Sequence, residues 1–367
     1  MKKKILIVVG TRPNFIKVTQ FKKEVAKFSS LEVKIVHTGQ HYDSKMADVF
    51  FEQFNLIPDF FLNISPDSAI AQMAYIMMKL EELLNTTYQP DLVIVVGDVN
   101  STLAAALVAN KLNIKLAHLE SGLRSFDKTM PEENNRIVTD AITDYYFVTE
   151  QSGINNLLKE GVAKNKLFFV GNTMIDSLVS FDLKIQSSTI LEKLKLESKK
   201  YVLMTMHRPA TVDNVVGLTK LIELIEEVTK LYKVVFPIHP RTLKNIEKEG
   251  LLYRFQNIKN IVSTEPLDYF AFQNLISNSK FILTDSGGIQ EESTFVGVPC
   301  LTLRPNTERP VTCSIGTNTL IPFDIDSIKT QMNLIETDNY KKGTVPELWD
   351  GKATERIVSV LNQLLIE

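Results

Sequence analysis

Cysteine is nearly absent from this chain of 367 residues: Cys300 and Cys313 are the only two. Two thiols build neither a disulfide framework nor a cysteine metal cluster, and both are expected to be free. Surplus charge is missing as well. Lys and Arg number 41 against 43 Asp and Glu, a formal net charge of −2. That balance gives no electrostatic basis for binding nucleic acid or an anionic membrane. No apolar run approaches the roughly 20 residues of a transmembrane helix. Met1-Lys2-Lys3-Lys4 before Ile5-Leu6-Ile7-Val8-Val9 imitates a signal peptide, but the apolar run is too short. Gly10-Thr11-Arg12-Pro13 also stands where a cleavage region would be. A cytoplasmic location is expected, where Asn63-Ile64-Ser65 and Asn85-Thr86-Thr87 match a glycosylation pattern without meaning. No Gly-x-Gly-x-x-Gly follows the first apolar run and no Walker-type loop occurs, which disfavours a dinucleotide cofactor. Asp324-Ile325-Asp326 has the spacing of a metal-binding DxD. Asp326-Ser327 reads better as the cap of a helix over 328–334, and no His/Cys/carboxylate cluster supports a metal. Neither cofactor nor metal is expected.

What is present is a repeated rhythm. Apolar residues make up 44% of the chain, ample for a buried core, and the length favours two domains. Short continuous apolar runs at 5–9, 33–37, 92–96, 115–119, 145–149 and 167–170 alternate with helical sequence. The pattern restarts at 201–206, 234–238, 258–263, 281–284 and 300–303. Runs of this kind are strands of parallel sheets buried on both faces. Ile70, Met73, Ile76, Met77, Leu80, Leu83 and Leu84 recur at helical spacing, as core or as a subunit interface. Residues 184–200 are polar and Lys/Ser-rich and read as a helix and linker. The fold class expected is α/β, with two Rossmann-like, doubly wound parallel-sheet domains facing each other across a cleft. Residues 1–172, joined by a C-terminal helix at 352–367, form the first, and 173–351 the second. Ligands of such sheets bind outside the carboxyl ends of the strands.

Polar residues collect at those ends. Phe281-Ile282-Leu283-Thr284-Asp285-Ser286-Gly287-Gly288 is a strand delivering its end to a helix. Ser286 is a natural N-cap, and Gly287 and Gly288 let a ligand approach the backbone. Exposed N–H groups and the helix dipole there favour an anion such as phosphate; a tight turn without ligand is the plainer alternative. Glu292 follows about one and a half turns into the helix, within reach of a ligand's hydroxyls. Arg12 and Lys17, after the first strand, offer a fork and a point charge to a diphosphate. Asp98 ends another strand and equally suits the N-cap of a helix over 100–112. Glu120, at the end of a buried strand, needs a partner or a task. Pro131-Glu132-Glu133 starts a helix, its acids complementing the dipole, and Arg136 follows on the same face. His207-Arg208 and His239-Pro240-Arg241 end two successive strands of the second half, which favours a polar site.

Together these residues resemble the non-hydrolysing UDP-N-acetylglucosamine 2-epimerase family, nearly end to end. The likeness runs through Gly10-Thr11-Arg12-Pro13, Ile16-Lys17, Thr38-Gly39-Gln40-His41, Gly97-Asp98, Glu120-Ser121-Gly122-Leu123-Arg124 and Pro131-Glu132-Glu133. It continues through Asn135-Arg136, Gly171-Asn172-Thr173, His207-Arg208, 284–292 and Thr307-Glu308-Arg309-Pro310. The resemblance implies a GT-B-like fold, a homodimer, and interconversion of UDP-GlcNAc and UDP-ManNAc for bacterial surface polysaccharides. It assigns the diphosphate to Arg12, Ser286, Gly287 and Gly288, the ribose to Glu292 and the uracil to Phe272. Lys17, Arg136, His207 and Arg309 would complete the shell. Asp98, Glu120 and Glu132 match the acids of catalysis, and His207 is grouped with them.

The chemistry accounts for that set. The C2 proton of a GlcNAc unit is not beside a carbonyl, so elimination of UDP to a 2-acetamidoglucal and re-addition on the other face is the expected route. It requires acid–base groups on both faces and cations for the departing diphosphate. Departures from the family pattern are Asn14 after Arg-Pro, Ser121 in Glu-Ser-Gly, and Ala210-Thr211 after His-Arg. Gln40 and His41 survive from a second UDP-GlcNAc site of some members, but Tyr42-Asp43 follow. The rivals are the same reaction on a diacetamido-glucuronic acid nucleotide, a hydrolysing epimerase, a retaining glycosyltransferase, and a nucleotide-sugar sensor.

Overall fold

The computed structural model describes residues 2–39, 51, 53–64 and 68–366, with Ala210 described in its backbone alone. Gln40, His41, Tyr42, Asp43 and Ser65 therefore lie outside the described residues. The chain forms two compact units, Met1–Ser180 with Glu347–Glu367, and Phe181–Pro346.

In the first unit the strands are β1 (Lys3–Val9), β2 (Leu31–His37), β3 (Phe60–Phe61), β4 (Leu92–Val96), β5 (Lys115–Leu119), β6 (Tyr145–Val148) and β7 (Leu167–Phe169). They make one parallel sheet in the order β3-β2-β1-β4-β5-β6-β7. All five residues of β4 are buried, because helices cover both faces; hence the unbroken apolar run. The strand order reverses between β1 and β4, and ligands of such sheets sit outside the strand ends at that point.

The second unit repeats the plan with β8 (Tyr201–Thr205), β9 (Lys233–Pro237), β10 (Ile261–Thr264), β11 (Phe281–Thr284), β12 (Cys300–Leu303) and β13 (Asn318–Ile321). Its parallel order is β10-β9-β8-β11-β12-β13, with the reversal between β8 and β11.

The differences from expectation have local causes. Strands β3 and β13 were not foreseen: one has two residues, the other opens on Asn318 and Thr319. Strand β10 starts at Ile261, not 258, because Asn260 turns left-handed (φ 62°) and its carbonyl accepts from Val234 N at 2.9 Å. Asp324, not Asp326, caps the helix Ile325–Glu336, accepting from Ser327 N at 2.8 Å. Residues 184–200 are more than a linker. Helices Asp182–Gln186 and Ile190–Lys193 bury Ile185 and Ile190 in the second unit, and Asn274 Nδ2 donates to Ile185 O.

The helix Thr173–Ser180 packs in the first unit, where Ser177 Oγ meets Thr19 Oγ1 at 2.6 Å. Asp176 then accepts from Ala353 N (3.0 Å) and Thr354 N (2.6 Å), capping the helix Ala353–Ile366. Trp349, 1% exposed, donates its indole N–H to Thr149 O at 3.1 Å. At Gly171 (φ +86°) a β-carbon would lie 2.1 Å from Leu348 O, so only glycine admits the returning chain there. The helix Ala69–Thr86 buries Ile76, Leu80 and Leu84 and packs Met73, Met77 and Leu83 against the same core. Ile70 (83% exposed), Tyr75 and Met78 are outside that core.

Candidate functional site

In the first unit, β1, β4 and β5 end side by side. Gly97 and Glu120 are both left-handed (φ +68° and +69°), a conformation that costs a non-glycine residue of order 1–3 kcal/mol. A β-carbon on Gly97 would lie 3.3 Å from Asn14 Nδ2, 3.5 Å from Glu120 Oε2 and 3.7 Å from Lys17 Nζ. Three polar side chains therefore converge on one missing methyl. Lys17 Nζ and Glu120 Oε2 form an ion pair at 2.6 Å, both side chains buried. Asn14 accepts from Thr11 Oγ1 (3.1 Å) and donates to Val96 O (3.2 Å), holding the Arg12 turn to β4. Arg12 itself is half-buried.

Asp98 is not a cap: Val99 holds the N-cap of the helix Asn100–Lys111. Its carboxylate is paired with Arg136 Nη2, and its carbonyl accepts from Asn135 Nδ2 at 2.9 Å. Arg136 is fully buried, and its Nε and Nη1 have no hydrogen-bond partner among the described residues. Buried guanidinium N–H groups of this kind call for an acceptor. The helix Pro131–Ala141 carries Glu132 on its exposed first turn. Its neighbour Glu133 is buried and accepts from Ser125 N (2.7 Å), Ser125 Oγ (2.9 Å) and Phe126 N (3.0 Å). Of the two acids, Glu133 shapes the loop and Glu132 remains accessible.

Further in, Asp140 on the same helix meets His118 Nδ1 (2.7 Å) and Arg124 Nη1 (2.7 Å), and Arg124 continues to Glu160. Burial opposes ionisation of Asp140, but His118 and Arg124 outweigh it and hold its pKa below the ordinary carboxylate value. Sequence reading missed this group. The rule applied to Glu120, that a charge on a buried strand needs a partner, applies equally to His118 two residues earlier.

In the second unit, Asp285 at the end of β11 organises the site. Its Oδ2 accepts from His207 N (2.9 Å) and Arg208 N (2.8 Å), and its Oδ1 lies 3.0 Å from His207 Nδ1. Burial pushes its pKa up, but the His207 contacts and the two amides prevail and lower it. His207 is thereby held by its ring and backbone while staying half exposed. Ser286 occupies the N-cap of the helix Gly287–Phe295, yet its hydroxyl makes no capping bond, contrary to expectation. Its backbone is fixed instead by donation from Ser286 N to Thr284 Oγ1 at 2.9 Å.

A β-carbon on Gly287 would lie 3.2 Å from Arg309 Nη1, so the Arg309 guanidinium sits against the helix N-terminus. Glu291 and Glu308 flank it at 2.8 and 3.1 Å. Gln290 Oε1 accepts from Thr307 Oγ1 at 2.7 Å and ties the Thr307–Arg309 turn to the same helix. Glu292 is buried, and its charge adds to the burial that raises the Tyr269 hydroxyl well above its ordinary pKa. Phe272 is partly buried against the core that includes Ala271 and Ile289. His239 is exposed, its pKa lowered by partial desolvation and by the charges of His207 and Arg241.

Each unit thus presents charged groups at its strand-order reversal: acids with buried cations in the first, a helix N-terminus with Arg309 between Glu291 and Glu308 in the second. Among the described residues no group of three His, Cys, Asp or Glu is arranged to hold a metal ion. No described helix is long and apolar enough to cross a membrane.

Known proteins share this plan. A lipopolysaccharide outer core galactosyltransferase, 11% identical with a TM-score of 0.53 over 98% of this chain and 99% of its own, has the same GT-B-like fold. The crystal structure of the Methanocaldococcus jannaschii UDP-GlcNAc 2-epimerase, in complex with UDP-GlcNAc and UDP, gives a TM-score of 0.89 at 39% identity. That match covers 98% of this chain and 99% of the other. In sequence, a UDP-N-acetylglucosamine 2-epimerase of M. jannaschii is 40% identical over 365 residues, 98% of each chain. The UDP-2,3-diacetamido-2,3-dideoxy-D-glucuronate 2-epimerase of Pseudomonas aeruginosa is 36% identical over 98% of this chain and 100% of its own. The family model for UDP-N-acetylglucosamine 2-epimerase matches residues 23–362. The chain belongs to the UDP-N-acetylglucosamine 2-epimerase family of isomerases.

Proposed function

We propose that this protein interconverts UDP-GlcNAc and UDP-ManNAc without net hydrolysis, by elimination and re-addition of UDP. The C2–H bond breaks, its proton passing to a protein base, while the C1–O bond to the diphosphate breaks and C1=C2 forms. UDP then re-forms the bond to C1, and a proton reaches C2 from the opposite face. The observation that carries this reading is the pair of charged couples at the ends of β1, β4 and β5. Lys17–Glu120 and Arg136–Asp98 are two carboxylates on adjacent strand ends, each with its own cation. Two such acids suit proton transfer on two faces of one sugar ring. Glu132 is a third, accessible acid on the same unit. Arg12, Arg309 and the Ser286-Gly287-Gly288 terminus would hold the diphosphate and take up its developing charge. Glu292 would bind the ribose, Phe272 would lie by the uracil, and His207 would act beside them, with no cofactor or metal. A homodimer in the cytoplasm, feeding surface polysaccharide synthesis, completes the proposal.

The test is proton NMR of the purified protein with UDP-GlcNAc in D₂O without added metal. The expected result is loss of the H-2 signal with growth of deuterated UDP-ManNAc. Free ManNAc and UDP would establish a hydrolysing enzyme instead. A second reading, the same inversion on a diacetamido-glucuronate nucleotide, is favoured by the 36% identity to the P. aeruginosa enzyme. It would be adopted if UDP-GlcNAc and UDP-ManNAc both stay unchanged and the uronate nucleotide is inverted.

A further inference from the structure

The first unit holds a buried polar cluster that this chemistry does not use. His118 is fully buried on β5, two residues before Glu120. Both its ring nitrogens are engaged: Nδ1 lies 2.7 Å from Asp140 Oδ1, and Nε2 lies 2.7 Å from the Gly97 carbonyl oxygen. A backbone carbonyl only accepts, so Nε2 carries a hydrogen. The carboxylate facing Nδ1 already has its other oxygen occupied, accepting from Gly122 N at 3.0 Å and lying 2.7 Å from Arg124 Nη1. A guanidinium and an amide on that oxygen favour the ionised acid. A bare Nδ1 lone pair would then face a negative charge at contact distance, so Nδ1 carries a proton too.

We infer that His118 is a buried imidazolium acting as a positioning residue. It ties the backbone of Asp98 and Glu120 to the helix Pro131–Ala141 through Asp140. Gly97, whose carbonyl it holds, directly precedes Asp98; Gly122, held by the same Asp140, follows Glu120 by two residues. Gly97, Glu120 and Gly122 are all left-handed, and at Glu120, which is not glycine, such a conformation persists only where the surroundings over-determine it. The same helix reaches Asp98 a second time through Arg136 and Asn135. Arg124 and Glu160 close the cluster, so its two cations and two anions balance.

The effect on turnover rests on the epimerase reading, whereas the protonation of His118 is read without substrate. In protein labelled with ¹⁵N-histidine, the long-range ¹H–¹⁵N spectrum at pH 7 is expected to show both His118 nitrogens protonated. His118→Gln assigns the signal; if that variant does not fold, single variants of His37, His41, His207 and His239 assign it by elimination. One bare nitrogen would overturn the inference. Asp140→Asn is the conservative variant: its amide N–H donates to a neutral Nδ1, its oxygen keeps Gly122 and Arg124, and every bond survives. It is expected to retain kcat within about threefold, whereas His118→Gln, which satisfies one acceptor, loses about tenfold or more, the worth of one buried hydrogen bond. KM for UDP-GlcNAc and Kd for UDP should stay within a small factor in both. Wild-type kcat in His118→Gln, or an equal fall in Asp140→Asn, would remove the positioning role. Wild-type protein that turns over no UDP-GlcNAc would sink the epimerase reading alone.

Discussion

Glu120 bears two unfavourable features at once, a left-handed backbone and a carboxylate at the buried end of a strand. Its ammonium partner Lys17 is the reason the second is tolerated. Removing one member of a buried ion pair costs roughly 3–5 kcal/mol, because the other is left charged and unpaired. Lys17→Met should therefore lower the unfolding free energy by about that amount in urea titration. Glu120→Gln keeps a polar contact to Lys17 while removing the base. Its turnover is expected to vanish while UDP still binds by calorimetry; normal turnover would take Glu120 out of the mechanism. The need of Glu120 for a partner was legible in the sequence, but the identity of the partner was not. The position of Lys17 after the first strand suits a diphosphate as well as a carboxylate, and only the fold brings its Nζ to Glu120. Asp285 is the opposite case: nothing in the sequence around it marks a partner, although its carboxylate is what fixes the His207 and Arg208 amides.

At the scale of elements, the buried parallel strands were legible because burial on both faces writes itself as an unbroken apolar run. Strands β4, β5, β11 and β12 fall where their runs do. Two of the four edges, β3 and β13, were not legible, since an edge strand needs no such run; β7 and β10, at the other two edges, did carry one. The helix Ala353–Ile366 shows what sequence periodicity omits: its start is set by Asp176, far away in the chain. The turn before it is anchored by Trp349, the largest fully buried side chain. Trp349→Ala should cost about 3–5 kcal/mol, the range for truncating a buried large aromatic. Thermal unfolding would measure it, and a loss under about 1 kcal/mol would mean that the segment packs without its anchor.

For the whole molecule, the unexplained surface is the outer side of the helix Ala69–Thr86. Ile70, Tyr75 and Met78 are 83%, 51% and 64% exposed, on a helix whose opposite side is already in the core. Tyr75 and Met78 stand at i and i+3, neighbours on that side of the helix, and Ile70 lies near its start. Exposed apolar residues grouped in this way mark contact surfaces, which supports the proposed homodimer. Met78→Glu is expected to convert the dimer to a monomer in light scattering at micromolar concentration. A dimer of unchanged mass would move the interface elsewhere. The return of residues 347–367 to the first unit has a consequence for how the molecule is made. On the ribosome the second unit, 181–346, is complete before Trp349 and the helix Ala353–Ile366 emerge. The unit translated first is therefore the one finished last, with Thr149 O and the Asp176 carboxylate waiting for partners that lie 200 and 178 residues further along the chain. Domains usually complete in the order of their synthesis; here the amino-terminal unit must hold its place open until the carboxyl-terminal segment arrives.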